Sequence, residues 1–173
     1  MATSRPAPQE ILLPVKPGYI ALTLAAALLL NLLPWSGYGL WIKPDFVALV
    51  VLYWCIEQPR KMGFIGAWLV GLFMDVADGT LFGQHALAYT ILAYAGIVLH
   101  RRVRMFAITP QALHVIPLFL MNDLIIVSVR MLGGADFPGW HYFIGSFVAG
   151  ALWPPLAALL KIPLRPKPDP FHV

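Results

Sequence analysis

The sequence predicts an all-α membrane protein of six transmembrane helices, with both termini on the cytoplasmic side. Three observations predict it. Sixty per cent of the 173 residues are hydrophobic and only 12% are charged, whereas a soluble domain carries about 25% charged residues. With a mean hydropathy of +0.75, the chain has too few polar groups to clothe a surface in water. The apolar residues also gather into six runs, split by short polar or Pro-containing segments. Finally, Lys and Arg alternate from side to side. With the N-terminus inside, Arg5, Lys16, Arg60, Lys61, Arg101, Arg102, Arg104, Lys161, Arg165 and Lys167 fall in inner segments, against Lys43 and Arg130 in outer loops. Asp45, Asp75, Asp78 and Asp136 fall outside. This is the charge bias that orients inner-membrane proteins.

Residues 1–17 read as a cytoplasmic tail. They hold Glu10 and four prolines, and no small-residue cleavage pattern follows the first apolar run, so that run is expected to be a retained anchor. Residues 18–161 form the membrane domain. Its runs are 18–33, closed by Pro34; 46–56, between Asp45 and Glu57; 62–74, ending at Asp75; 81–99, ending at His100; 113–129, ending at Arg130; and 140–160, ending at Lys161. A spanning helix needs about 20 apolar residues, so the second and third runs are short. Folding them back as a re-entrant hairpin would leave Arg60 and Lys61 in hydrocarbon, at about 2.5–3.5 kcal/mol each. Crossing with local thinning costs fractions of a kcal/mol per Å, so crossing is favoured. Backbone satisfaction in lipid then requires helices. Trp35, Trp41 and Trp140 sit where interfacial aromatics belong. Residues 162–173 read as a Pro-rich, extended cytoplasmic tail.

The basic residues form topology signals rather than one patch, which argues against a nucleic-acid partner. The single Cys55 allows no intrachain disulfide and reads as a small apolar residue. The chain has no Walker motif, Gly-rich phosphate loop or metal-binding His pair, so no cofactor is expected.

Small residues recur at Gly63, Ala67 and Gly71 on one face of the third helix, and at Gly145 and Ala149 in the sixth. Such faces allow close approach of another helix, within the chain or from a partner. Asp75 and Asp78, with Gly79, Gly83 and His85, read as a cap and turn at an outer helix end. Asp123 and Asn122 lie inside the fifth run. An intramembrane Asp is expensive and marks a functional candidate. It is expected to bond a neighbouring helix by way of Gln84 or His85. An aspartyl hydrolase would need Asp75 or Asp45 beside Asp123, and no catalytic motif flanks them.

These fragments together resemble a known family. Pro44-Asp45-Phe46 opens the second helix, and Tyr53-Trp54 with Pro59 closes it. Then come Gly71-Leu72-Phe73-Met74-Asp75 running on to Gly79, Gly83 and His85, then Gln111-Ala112-Leu113, then Leu152-Trp153-Pro154. In this order the chain looks like the bacterial rod shape-determining protein MreD family. The resemblance implies an inner-membrane, non-enzymatic component of the cell-elongation complex, working with the bitopic protein MreC. It also implies association with MreB, a RodA-type glycosyltransferase and a penicillin-binding transpeptidase in peptidoglycan synthesis. The implied fold is similar to the six-helix substrate-binding subunits of energy-coupling vitamin transporters. Asp45, Asp75, Gly79 and Gly83 match family motif positions. Two readings follow: a scaffold that works by contact with partner helices or a second copy, or, alternatively, a vitamin-transporter binding subunit.

Overall fold

The computed structural model describes residues 14–37 and 39–164. Most of the expected N-terminal tail, the Pro-rich tail beyond 164 and the side chain of Trp41 lie outside the described residues. The described residues form helices and the links between them, with no strand among them. In order the helices are α1 (Pro17–Asn31), the short α2 (Gly39–Ile42), α3 (Phe46–Glu57), α4 (Pro59–Asp78), α5 (Gln84–Arg104), α6 (Ile108–Leu132) and α7 (Ile144–Lys161). Two 3-10 turns, Trp140–Phe143 and Ile162–Leu164, flank α7. The six longer helices coincide with the six apolar runs, and α4 and α6 extend several residues beyond theirs. Two segments, Ile108–Leu132 and Trp140–Leu164, are long and apolar enough to cross a membrane by themselves; α1 and α3 are apolar but shorter.

The bundle is built around α3. Every residue from Val47 to Ile56 is buried, as suits a helix that is apolar on all sides. Helices α1, α4, α5 and α7 pack around it. Twelve residues rise only about 18 Å, and this shortness is tolerated because α3 is walled by protein. In its last turn Trp54 is fully buried and meets Tyr19 and Tyr53 edge-to-face, at 5.7 and 5.0 Å between ring centroids. Its indole N–H donates to Thr23 Oγ1 of α1 at 2.9 Å, satisfying a polar group that burial would otherwise penalise. Gly96 of α5 lets that helix press on α3: a Cβ there would lie 2.8 Å from Leu52 Cδ1.

A tight turn at Gln58 joins α3 to α4, and Gly63 interrupts α4 with φ 55° and ψ 174°. The expected single face of Gly63, Ala67 and Gly71 is therefore not formed. The left-handed kink takes Gly63 out of register, because helical spacing holds only across helical dihedrals. Residues 162–164, expected to open an extended tail, instead make one 3-10 turn whose Leu164 is buried.

The two ends of the bundle differ in charge. At one end Glu57 pairs with Lys161 at 3.3 Å and with Arg104 at 3.8 Å, and Lys61 donates to the Val15 carbonyl. The opposite end carries Asp45, Asp75 and Asp78. Between the ends the perimeter is apolar, with Leu22, Ile65, Trp68, Phe73, Tyr94 and Leu113 among the exposed side chains. In water a surface this apolar would cost about 25 cal/mol per Å²; against lipid tails it costs nothing.

Candidate functional site

The acidic end is assembled from three polar clusters, each tying helices together. The first is centred on Asp75, which is 1% exposed. Gly79 ends α4 in the left-handed conformation (φ 62°), and its N–H donates to the Asp75 carbonyl. Gly83, at φ 98°, turns the chain into α5. This reversal aims the first N–H groups of α5 at the Asp75 side chain. Its carboxylate accepts from Gly83 N at 2.8 Å, His85 N at 2.7 Å and His85 Nδ1 at 2.9 Å. Asp75 thus caps the following helix, supplying the acceptor that the N-cap residue Gly83 lacks and meeting the positive end of the helix dipole.

The second cluster ties α1 to α3 and α5. Asp45 caps α3 through Ala48 N at 3.0 Å and accepts from Tyr89 OH at 2.7 Å. Asn31, the last residue of α1, donates to Asp45 at 3.0 Å and accepts from Phe46 N at 3.0 Å. Lys43 donates to the Asn31 carbonyl at 2.7 Å. The first N–H of α3 is thereby satisfied by α1, and the last carbonyl of α1 by Lys43 of the link before α3. Neither Asn31 nor Tyr89 is singled out by the sequence, since a lone Asn closing an Ala/Leu run and a Tyr in an apolar run carry no sign of their partners.

The third cluster joins α6 and α7. Ser146 donates to Asp123, so the expected bridge from Asp123 to Gln84 or His85 is not made; His85 is held by Asp75 instead. The Asn122 amide lies beside the Asp123 carboxyl but completes no hydrogen bond, and Gln84 Oε1 is likewise buried without a partner.

The small-residue faces are occupied within the chain. A Cβ on Gly71 would collide with the backbone of His85 and Ala86, and Ala67 is fully buried. Gly145 sits where a Cβ would lie 2.7 Å from the Lys43 carbonyl oxygen, and Ala149 is buried too. At the opposite end Trp153 of α7 donates to Gln111 of α6 at 3.1 Å. Two motif fragments separated by 42 residues therefore meet directly.

Asp45, Asp78, Asp123, Gln84 and Asn122 all line one cavity of about 450 Å³ at the acidic end. Among the described residues no group of three or more His, Cys, Asp or Glu side chains is arranged to hold a metal ion. Asp75 does not line the cavity. Its oxygens are spent on α5, and it does not form an acid pair with Asp123.

Comparison with known proteins adds an independent line. A family model described as rod shape-determining protein MreD matches residues 17–162. The rod shape-determining protein MreD of Haemophilus influenzae (strain ATCC 51907 / DSM 11121 / KW20 / Rd) is 30% identical over 135 residues, covering 78% of this chain and 83% of the relative. No solved structure matches.

Proposed function

The chain belongs to the rod shape-determining protein MreD family, and from that premise we propose a multi-pass inner-membrane scaffold of the cell-elongation machinery. In this reading it crosses the membrane six times with both termini in the cytoplasm. It binds MreC and, with MreB, a RodA-type glycosyltransferase and a penicillin-binding transpeptidase, positions peptidoglycan synthesis. It works by contact rather than by catalysis. Family membership across nearly the whole bundle is the observation that carries this reading.

The structure supports a contact role in a specific way. Three carboxylates singled out in the sequence, Asp45, Asp75 and Asp123, accept hydrogen bonds that cap helices or join them. The small-residue faces are filled internally, so partner contact falls to the apolar perimeter. There α4 carries the aromatic side chains Phe64, Trp68 and Phe73, all exposed. Aromatic side chains are the usual anchors of protein interfaces.

Removal of the gene from a rod-shaped host should round the cells, and expression of this chain should restore rods. Co-purification of MreC from detergent extracts should be weakened by Trp68→Ala with Phe73→Ala, while the variant elutes normally by size exclusion. Cells that stay rod-shaped after removal would overturn the proposal.

A further inference from the structure

The cavity at the acidic end contains groups that helix packing does not require. The buried side-chain atoms left without a hydrogen bond among the described residues are Gln84 Oε1, Asn122 Nδ2 and Asn122 Oδ1. Both residues line the cavity, and they are 2% and 1% exposed. Buried amide atoms without partners weaken a fold, and here they are both polar atoms of Asn122 and the oxygen of Gln84. Asn122 offers a donor and an acceptor together, which suits a ligand group with the same pairing, such as a peptide unit.

Charge narrows the ligand further. Asp123 lies next to Asn122 in the wall. Arg130 lies seven residues on, on the same face of α6, and also lines the cavity. Its guanidinium has no ion pair among the described residues. The rise between the two Cα atoms is about 10.5 Å, and helical side chains lean back toward the N-terminus. The two side chains are therefore rooted about two helical turns apart along one wall, and a ligand that meets both must be extended. A plain anion would meet Asp45, Asp78 and Asp123, all of which line the cavity. Lys43, His85 and His141 also line the cavity, Lys43 holding the Asn31 carbonyl and His85 the Asp75 carboxylate; a plain cation would leave Arg130 unmatched, and a hydrocarbon would leave the amide atoms unpaired. The volume lies within the usual range for small-ligand sites, about 300–1,000 Å³.

The geometry points to this cavity as a binding site for a short zwitterionic peptide. The ammonium sits at Asp123, the carboxylate at Arg130, and the peptide group against the Asn122 and Gln84 amides. This goes beyond the scaffold role and does not rest on it.

The test is native mass spectrometry of the full-length protein in lipid nanodiscs, incubated with a pool of unprotected dipeptides. A second pool carries N-acetyl and C-amide caps, which remove both charges. The expected result is saturable dipeptide adducts, with the capped pool weaker by about tenfold or more. Arg130→Gln and Asn122→Leu should each lose binding by a similar factor while eluting as the parent does, and Arg130→Lys should recover part of it. Adducts absent from the free pool, meaning a cavity filled by water only, would overturn the assignment. Equal binding of capped peptides, or undiminished binding by Arg130→Gln, would overturn it as well. Cell shape supported by these variants bears on the scaffold role alone.

Discussion

Asp75 gathers more hydrogen bonds than any other side chain at the acidic end, and all of them serve the fold. Gly83 N, His85 N and His85 Nδ1 converge on its carboxylate within 2.9 Å. Hydrogen bonds to a charged acceptor contribute about 1.5–3 kcal/mol each, and stranding buried donors costs more than the bond itself. Asp75→Ala should therefore lower the midpoint of thermal unfolding in detergent markedly, by the equivalent of about 2–4 kcal/mol. Asp75→Asn, which keeps one acceptor oxygen, should fall between the two. Equal stability of Asp75→Ala and the parent would remove the cap from the account. Ser146→Ala tests a weaker bond. It removes the donor to Asp123 between α6 and α7, and interhelical hydrogen bonds in membranes average about 0.6 kcal/mol, with about 1.7 as an upper value. Its stability loss should be well below that of Asp75→Ala. The sequence shows Asp75 as a carboxylate at a helix end, because an acid, a Gly and a second Gly at short spacing spell a turn. It does not show which helix is capped, since that depends on how Gly79 and Gly83 fold the link back.

Glycine positions decide how the helices meet, and two of them in α4 act for opposite reasons. Gly71 has ordinary helical dihedrals but no room: a side chain there strikes the backbone of His85 and Ala86. Gly63 has open space around its missing Cβ but φ 55° and ψ 174°, a region open essentially to glycine alone, where an L-residue costs about 1–3 kcal/mol. Gly63→Ala should thus cost about that amount and leave the packing intact. Gly71→Leu should exceed the 1–3 kcal/mol typical of overpacking, because backbone cannot yield as a side chain would. Fluorescence-detected size exclusion during a thermal ramp separates the cases: a modest shift for Gly63→Ala, and aggregation or loss of the monodisperse peak for Gly71→Leu. A well-folded Gly71→Leu that merely loses MreC would return this face to a partner interface. The six helices were legible because apolar runs bounded by charge and proline are a local signal. The kink was not, since a glycine four residues before an alanine reads as one more small residue in register. The burial of α3 on every side was half legible: the unbroken run 46–56 signals burial, but not that protein rather than lipid provides it.

The whole molecule is polarised, with Glu57, Lys61, Arg104 and Lys161 gathered at one end and Asp45, Asp75 and Asp78 at the other. This arrangement carries the six-crossing proposal into testable form, because each end has exposed positions that a cysteine probe can report. The native Cys55 is fully buried, so it stays silent toward a membrane-impermeant maleimide. Ser36 and Asp136 lie exposed in the links at the acidic end, Met105 is 84% exposed at the basic end, and Arg60 is exposed in the first turn of α4. In intact spheroplasts Ser36→Cys and Asp136→Cys should label, whereas Met105→Cys and Arg60→Cys should label only after permeabilisation. Arg60 is the decisive position, because a re-entrant α3–α4 hairpin leaves the other three unchanged. Such a hairpin would hold residue 60 in hydrocarbon, unreactive from both sides, at the cost of burying the remaining charge of Lys61, about 2.5–3.5 kcal/mol. Labelling of Arg60→Cys after permeabilisation therefore establishes the second and third crossings. Labelling of Met105→Cys from outside would invert the protein, place the polar cavity in the cytoplasm, and require its ligand to come from inside the cell.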